Sequence, residues 1–74
     1  MDALKDFERY CKSEINNFKR IASDDYFSEA DIERSRNYAI QRMLGASFYA
    51  QYLGWEFEDV DRIYETYKDA IKDV

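Results

Sequence analysis

The sequence predicts an all-α fold, a small up-down-up three-helix bundle in which residues 1–74 form a single helical domain. Apolar residues recur every three or four positions along almost the whole chain, and strand-like alternation is absent. There is no proline, and two short breaks divide the pattern into helices of about residues 2–22, 29–53 and 57–73. Short connections place consecutive helices antiparallel, which gives the up-down-up order.

The first helix is predicted from an amphipathic stripe about 140° wide. Its members are Ala3, Leu4, Phe7, Tyr10, Cys11, Ile15, Phe18, Ile21 and Ala22. Asp2 is the predicted N-cap. Glu14 interrupts the stripe, and in an antiparallel hairpin it comes level with about Asn37, within reach of Arg34, Arg36 or Tyr38. We expect the Glu14 side chain to extend from the edge of the stripe into solvent, and the alternative is a buried specificity pin or switch.

The second helix has the clearest boundaries in the sequence. Ser28 and Asp31 form a variant of the capping box at its start, and Gly54 supplies a left-handed residue after its end. About 25 residues at 1.5 Å each give roughly 37 Å of helix. Gly45 lies in the middle, where glycine costs about 1 kcal/mol relative to alanine, so the sequence leaves open whether the helix is continuous there.

The third helix carries a further stripe of about 140°. It consists of Phe57, Val60, Ile63, Tyr64, Tyr67, Ala70, Ile71 and Val74. A chain of 74 residues buries only about 60% of its unfolded surface. The single cysteine, Cys11, and the absence of histidine exclude an intrachain disulfide and a Cys/His zinc site. Stability must therefore come from packing or self-association, and the alternative to a bundle is a hairpin of the first two helices completed by dimerisation.

Charge and hydropathy argue against several classes of function. The formal net charge is −5, which disfavours non-specific binding to nucleic acid or anionic membranes. The longest uncharged run, residues 43–55, is shorter than the roughly 20 residues of a membrane span. Met1 and Asp2 lead directly into a charged helical pattern rather than a signal peptide, so we expect a cytoplasmic protein.

Nothing in the sequence indicates catalysis, a metal site or a cofactor. Without histidine there is no conventional nucleophile–base pair, and no glycine-rich phosphate loop is present. The acids between Asp24 and Glu33 lack the central glycine and ligand spacing of a calcium loop, and helix capping explains them better. We therefore expect a protein that is not an enzyme and holds neither metal nor cofactor.

A second face of the central helix is the sequence feature most typical of a binding site. Tyrosine, arginine and glycine residues lie within about 80° of the helix surface, opposite its apolar side. These residues are Arg34, Tyr38, Arg42, Gly45, Tyr49 and Tyr52. No acid occurs from Arg34 to Trp55. Tyrosine and arginine are enriched at binding hot spots, so we interpret this face as a surface for a protein partner or for a homodimer. The alternative is that the rings cover the neighbouring helices and leave their hydroxyls in water.

Two further functions remain open. One is a nucleic-acid accessory protein that binds through Arg34, Arg36 and Arg42, although the third helix would repel DNA, since residues 55–74 hold seven acids and three bases. The other is an acidic mimic of nucleic acid that binds a basic partner through Glu58, Asp61, Glu65 and Asp69. Interleaved bases such as Arg62 indicate instead an ordinary solvated face.

Overall fold

The computed structural model describes residues 3–54 and 56–74 and contains three helices. They are α1 (Ala3–Ala22), α2 (Glu29–Tyr52) and α3 (Phe57–Lys72), and each packs against both others. The predicted three-helix bundle is confirmed, and its elements end within one residue of the predicted positions. The predicted N-cap, Asp2, lies outside the described residues.

The core lies along the common axis of the three helices. Its largest fully buried side chains come from all three helices, and they are Cys11, Phe18, Met43, Val60 and Ile71. Cys11 has no exposed surface, and this burial, followed by the negative charges of Glu14 and Glu8, raises the pKa of its thiol to about 12. The thiol is therefore protonated at neutral pH, and the cysteine serves as a small apolar core residue.

Both ends of α2 are fixed by local hydrogen bonds. The Ser28 hydroxyl accepts from the Asp31 amide at 3.2 Å, and the Asp31 carboxylate accepts from the Ser28 amide at 3.3 Å. The hydrogen bonds from Ser28 lower the pKa of Asp31. At the other end, Gly54 has a φ of 95° and donates to the carbonyl of Gln51 at 2.9 Å. The predicted capping box of Ser28 and Asp31 and the predicted left-handed conformation of Gly54 are both confirmed. The helix α2 is continuous through Gly45.

Several large apolar residues are exposed, including Phe57 of the stripe predicted for the third helix. Phe48, Leu53 and Phe57 are 58%, 53% and 61% exposed, respectively. Phe48 lies on the side of α2 that the two neighbouring helices, α1 and α3, do not cover. Leu53 and Phe57 lie at the end of the bundle, where less of the chain covers them. Conversely, Ser47 is buried, and its hydroxyl donates to the Leu44 carbonyl at 2.6 Å, which satisfies it within the helix.

No helix in the described part of the chain is sufficiently long and apolar to cross a bilayer.

Candidate protein-binding face of the second helix

Because α2 is one continuous helix, the predicted residues do share one side of it. We call this surface the tyrosine face and define it by Arg34, Tyr38, Arg42, Gly45, Tyr49 and Tyr52. Tyr38 is 52% exposed, Tyr49 65% and Tyr52 86%. More than half of each residue is open to solvent, so the neighbouring helices cover these rings only in part. Phe48 adjoins the tyrosine face and extends its aromatic surface.

Gly45 lies at the centre of the tyrosine face. A Cβ atom built there meets no heavy atom within 4 Å among the described residues. The packing of this chain therefore does not require a glycine, although glycine weakens a helix interior. Gly45 is therefore not needed for the close approach of another helix of the same chain.

Gly45→Ala is expected to raise the free energy of unfolding of dilute protein by about 1 kcal/mol, because alanine has the higher helix propensity and the added methyl group meets no obstacle. Urea unfolding followed by circular dichroism measures this change. Gly54→Ala is the matched control: its Cβ also has space, but the φ of 95° is unfavourable for alanine, so this variant should be less stable than wild type. A loss of stability in Gly45→Ala would contradict the prediction.

Arg42 is joined to Glu14 of α1 by three hydrogen bonds. Its Nε donates to both carboxylate oxygens at 3.0 Å, and its Nη2 donates to Oε2 at 2.9 Å. Glu14 is only 8% exposed, whereas the Arg42 side chain is 52% exposed. The Glu14 carboxylate is thus buried, while the arginine that pairs with it is half-exposed. The contact is bidentate, which holds the arginine in one orientation.

The expectation that Glu14 extends into solvent was therefore wrong, and so were its predicted partners, Arg34, Arg36 and Tyr38. Helical side chains tilt toward the helix N-terminus, so a long arginine places its guanidinium about a turn before its own Cα. The Arg42 guanidinium can therefore extend along α2 toward Asn37, the residue that the antiparallel hairpin places opposite Glu14. A register estimate made from Cα positions alone misses that displacement.

Tyr10 completes this cluster at the junction of α1 and α2. Partial burial raises the pKa of Tyr10, and the negative charge of Glu14 and a hydrogen bond to it raise it further. The pKa of Arg42 is also raised, chiefly by its hydrogen bonds to Glu14. The cluster of Tyr10, Glu14 and Arg42 therefore favours a charged arginine and a neutral tyrosine beside the tyrosine face.

The three arginines of α2 do not form a common basic surface. The Arg36 guanidinium lies 5.1 Å from the centre of the Phe18 ring, and its Nη2 donates to the Val74 carbonyl at 3.2 Å. Arg34 is exposed and pairs with Asp31 at 3.6 Å. With Arg42 held by Glu14, each arginine has a different environment and an acid of this chain beside it.

No match to this chain is found among protein-family models, curated proteins or solved structures. Within residues 3–54 and 56–74, no three cysteine or acidic side chains are grouped closely enough to hold a metal ion.

Two grooves between α1 and α2 border the tyrosine face. The first, of about 420 Å³, includes Tyr26, Arg34, Tyr38 and Arg42 in its lining. The second, of about 270 Å³, includes Phe7, Tyr10, Tyr49 and Leu53. Tyr38 and Tyr49 therefore form walls of concave surfaces, into which side chains of a binding partner would fit.

Two of the five acids of α3 are paired with bases of the same helix. Arg62 pairs with Asp59 at 3.2 Å, and Lys68 pairs with Glu65 at 3.4 Å. Both pairs have the spacing of ordinary ion pairs on an exposed helix surface. The geometry does not present α3 as an unbroken acidic strip.

Proposed function

We propose that this chain is a non-enzymatic interaction module that binds protein through the tyrosine face of α2. The observation that supports this most strongly is the combination of three tyrosines, each more than half exposed, around a glycine that the packing of the chain does not require. Exposed aromatic patches are typical of interfaces, and tyrosine contributes a large contact area at a small cost in side-chain entropy.

Glu14 prepares the tyrosine face for binding. By holding Arg42 through three hydrogen bonds, it fixes a long side chain that would otherwise lose rotamer freedom when a partner binds. It also neutralises that arginine more completely than Asp31 neutralises Arg34, whose side chain is 62% exposed and pairs with Asp31 at 3.6 Å, so Arg34 carries the more accessible positive charge of the face. The preferred partner is therefore an apolar or aromatic surface with an acid near one end.

The same geometry speaks against the two alternative functions. Nucleic-acid binding through α2 needs several arginines directed at one backbone, but Arg36 faces Phe18 and Arg42 faces Glu14. Mimicry of nucleic acid by α3 needs a continuous row of unpaired acids, whereas one of the four candidate acids, Glu65, pairs with Lys68 of the same helix and interrupts the row. Binding to DNA that weakens steeply with added salt would be the result that restores the first alternative.

Site-specific photocrosslinking tests the proposal. Benzoylphenylalanine is introduced in place of Tyr52, and in a matched control in place of Thr66, which is exposed on α3 and borders the groove between α1 and α3. We expect irradiation in cells of the source organism to give a discrete protein adduct from position 52 and none from position 66.

A second substitution links the adduct to the tyrosine face. Tyr49→Ala should remove most of the crosslink from position 52 while the purified variant retains its helical circular dichroism. Equal crosslinking from positions 52 and 66, or the absence of any adduct from position 52, would overturn the proposal.

A further inference from the structure

We propose that the partner is a second copy of this chain, with the two α2 helices packed antiparallel about a two-fold axis at Gly45. This inference rests on the proposed function, because it names the protein that the tyrosine face binds. A two-fold interface uses the same surface twice, so the tyrosine face must be complementary to itself. Its spacing, charge and area can each be tested against that requirement.

The tyrosine face is symmetric in sequence about Gly45. Tyr38 and Tyr52 lie equally far before and after this glycine, so antiparallel packing places each of them opposite the other residue in the second copy. Gln41 and Tyr49 are paired in the same way, which gives a tyrosine hydroxyl an amide as its neighbour. At the centre, the two Gly45 residues lack side chains and allow the helices to approach closely.

The charges at the two ends of the face are complementary only in the antiparallel arrangement. Arg34 lies in the first half of α2, so in the antiparallel pair Arg34 of each copy lies near the C-terminal end of the other copy's α2, whose last turn has no basic residue to offset the helix dipole. Glu56 is exposed and follows the last residue of that helix, Tyr52, by four positions, so it adds a negative charge at the same end. A parallel pair would instead place Arg34 beside Arg34. The rest of the face has no acid to repel a second copy.

The exposed aromatic area is sufficient for a reversible dimer. Tyr38, Phe48, Tyr49 and Tyr52 are between 52% and 86% exposed. At roughly 200 Å² for a whole aromatic side chain, their open parts amount to about 500 Å² in each copy. Two copies would bury about 1,000 Å² from these rings alone, which reaches the lower bound of a specific interface. We expect a dissociation constant on the order of 10 μM.

Sedimentation equilibrium with two charge-reversal variants tests the arrangement. Arg34→Glu places like charges together at both ends of its own dimer, and so does Glu56→Arg. The dissociation constant of each variant's own dimer should be about tenfold higher than that of the wild-type dimer. An equimolar mixture should regain wild-type association, because the mixed dimer has opposite charges at both ends. No side-chain cap of α3 is lost in Glu56→Arg, since Glu56 makes no such bond to the described residues.

Two further variants separate the interface from general effects. Arg62→Glu reverses a charge that is 71% exposed on α3, and it should leave self-association unchanged. Gly45→Ala should weaken self-association about tenfold, although the same change favours the folded monomer.

The outcomes distinguish this inference from the proposed function. The inference is overturned if the wild-type chain stays monomeric at protein concentrations well above the expected dissociation constant. It is also overturned if a mixture of the two charge variants fails to associate. If position 52 nevertheless crosslinks to a different protein, the proposed function stands and only the second copy is wrong. If the chain is monomeric and position 52 gives no adduct, both are wrong.

Discussion

Replacing Phe18 with alanine is expected to lower the free energy of unfolding by about 4 kcal/mol. Phe18 is 1% exposed and is one of the largest side chains in the core. Its removal leaves a cavity, and it also deprives the Arg36 guanidinium of the ring that it faces at 5.1 Å. A chain of 74 residues has a stability of roughly 4–11 kcal/mol, so this one change removes a large part of it.

Urea unfolding followed by circular dichroism measures this loss. Phe18→Leu provides a second measurement if the alanine variant does not fold, and it should lose less because most of the volume remains. Tyr26→Ala is the matched control, since Tyr26 is 85% exposed and its loss should change stability by only about 0.5 kcal/mol. Similar losses in Phe18→Ala and Tyr26→Ala would contradict the assignment of the core.

The second large effect is expected at the pair formed by Glu14 and Arg42. Arg42→Met removes three hydrogen bonds from a carboxylate that is 8% exposed. Removing one partner of a fully buried ion pair costs about 3–5 kcal/mol. Arg42 is half-exposed, so water can partly replace it, and we expect a loss of about 2 kcal/mol. The melting temperature should fall by roughly 10 °C.

A double-mutant cycle shows that this loss belongs to the pair. The variant Glu14→Met/Arg42→Met buries no carboxylate, so it should regain most of the stability lost in Arg42→Met. Arg62→Met is the control, because the Arg62–Asp59 pair is exposed and should contribute little. If the effects of Glu14→Met and Arg42→Met on the free energy of unfolding were additive, the two side chains would not be coupled. Equal losses in Arg42→Met and Arg62→Met would likewise show that burial of the Glu14 carboxylate does not depend on Arg42.

The residues of the tyrosine face were identifiable from the sequence because helical spacing alone assigns Tyr38, Gly45 and Tyr52 to one side of α2. The part played by Arg42 was not. The sequence placed Arg42 among the binding residues of the face, whereas the fold gives it a fixed partner, Glu14, on α1. The signal that could have suggested this was Glu14, an acid inside an apolar stripe, which requires a cation wherever it is buried.

The sequence by itself determined where the helices begin and end. Hydrophobic periodicity, the capping box of Ser28 and the left-handed Gly54 act within a few residues of the chain, so they can be interpreted without knowledge of the fold. Only the tertiary structure decided which side chains the bundle covers. Two neighbours can cover only part of the circumference of a helix, so Phe48 remains exposed while Glu14 is buried. Burial and long-range pairing depend on how the helices are set against one another, and no local pattern of residues contains that information.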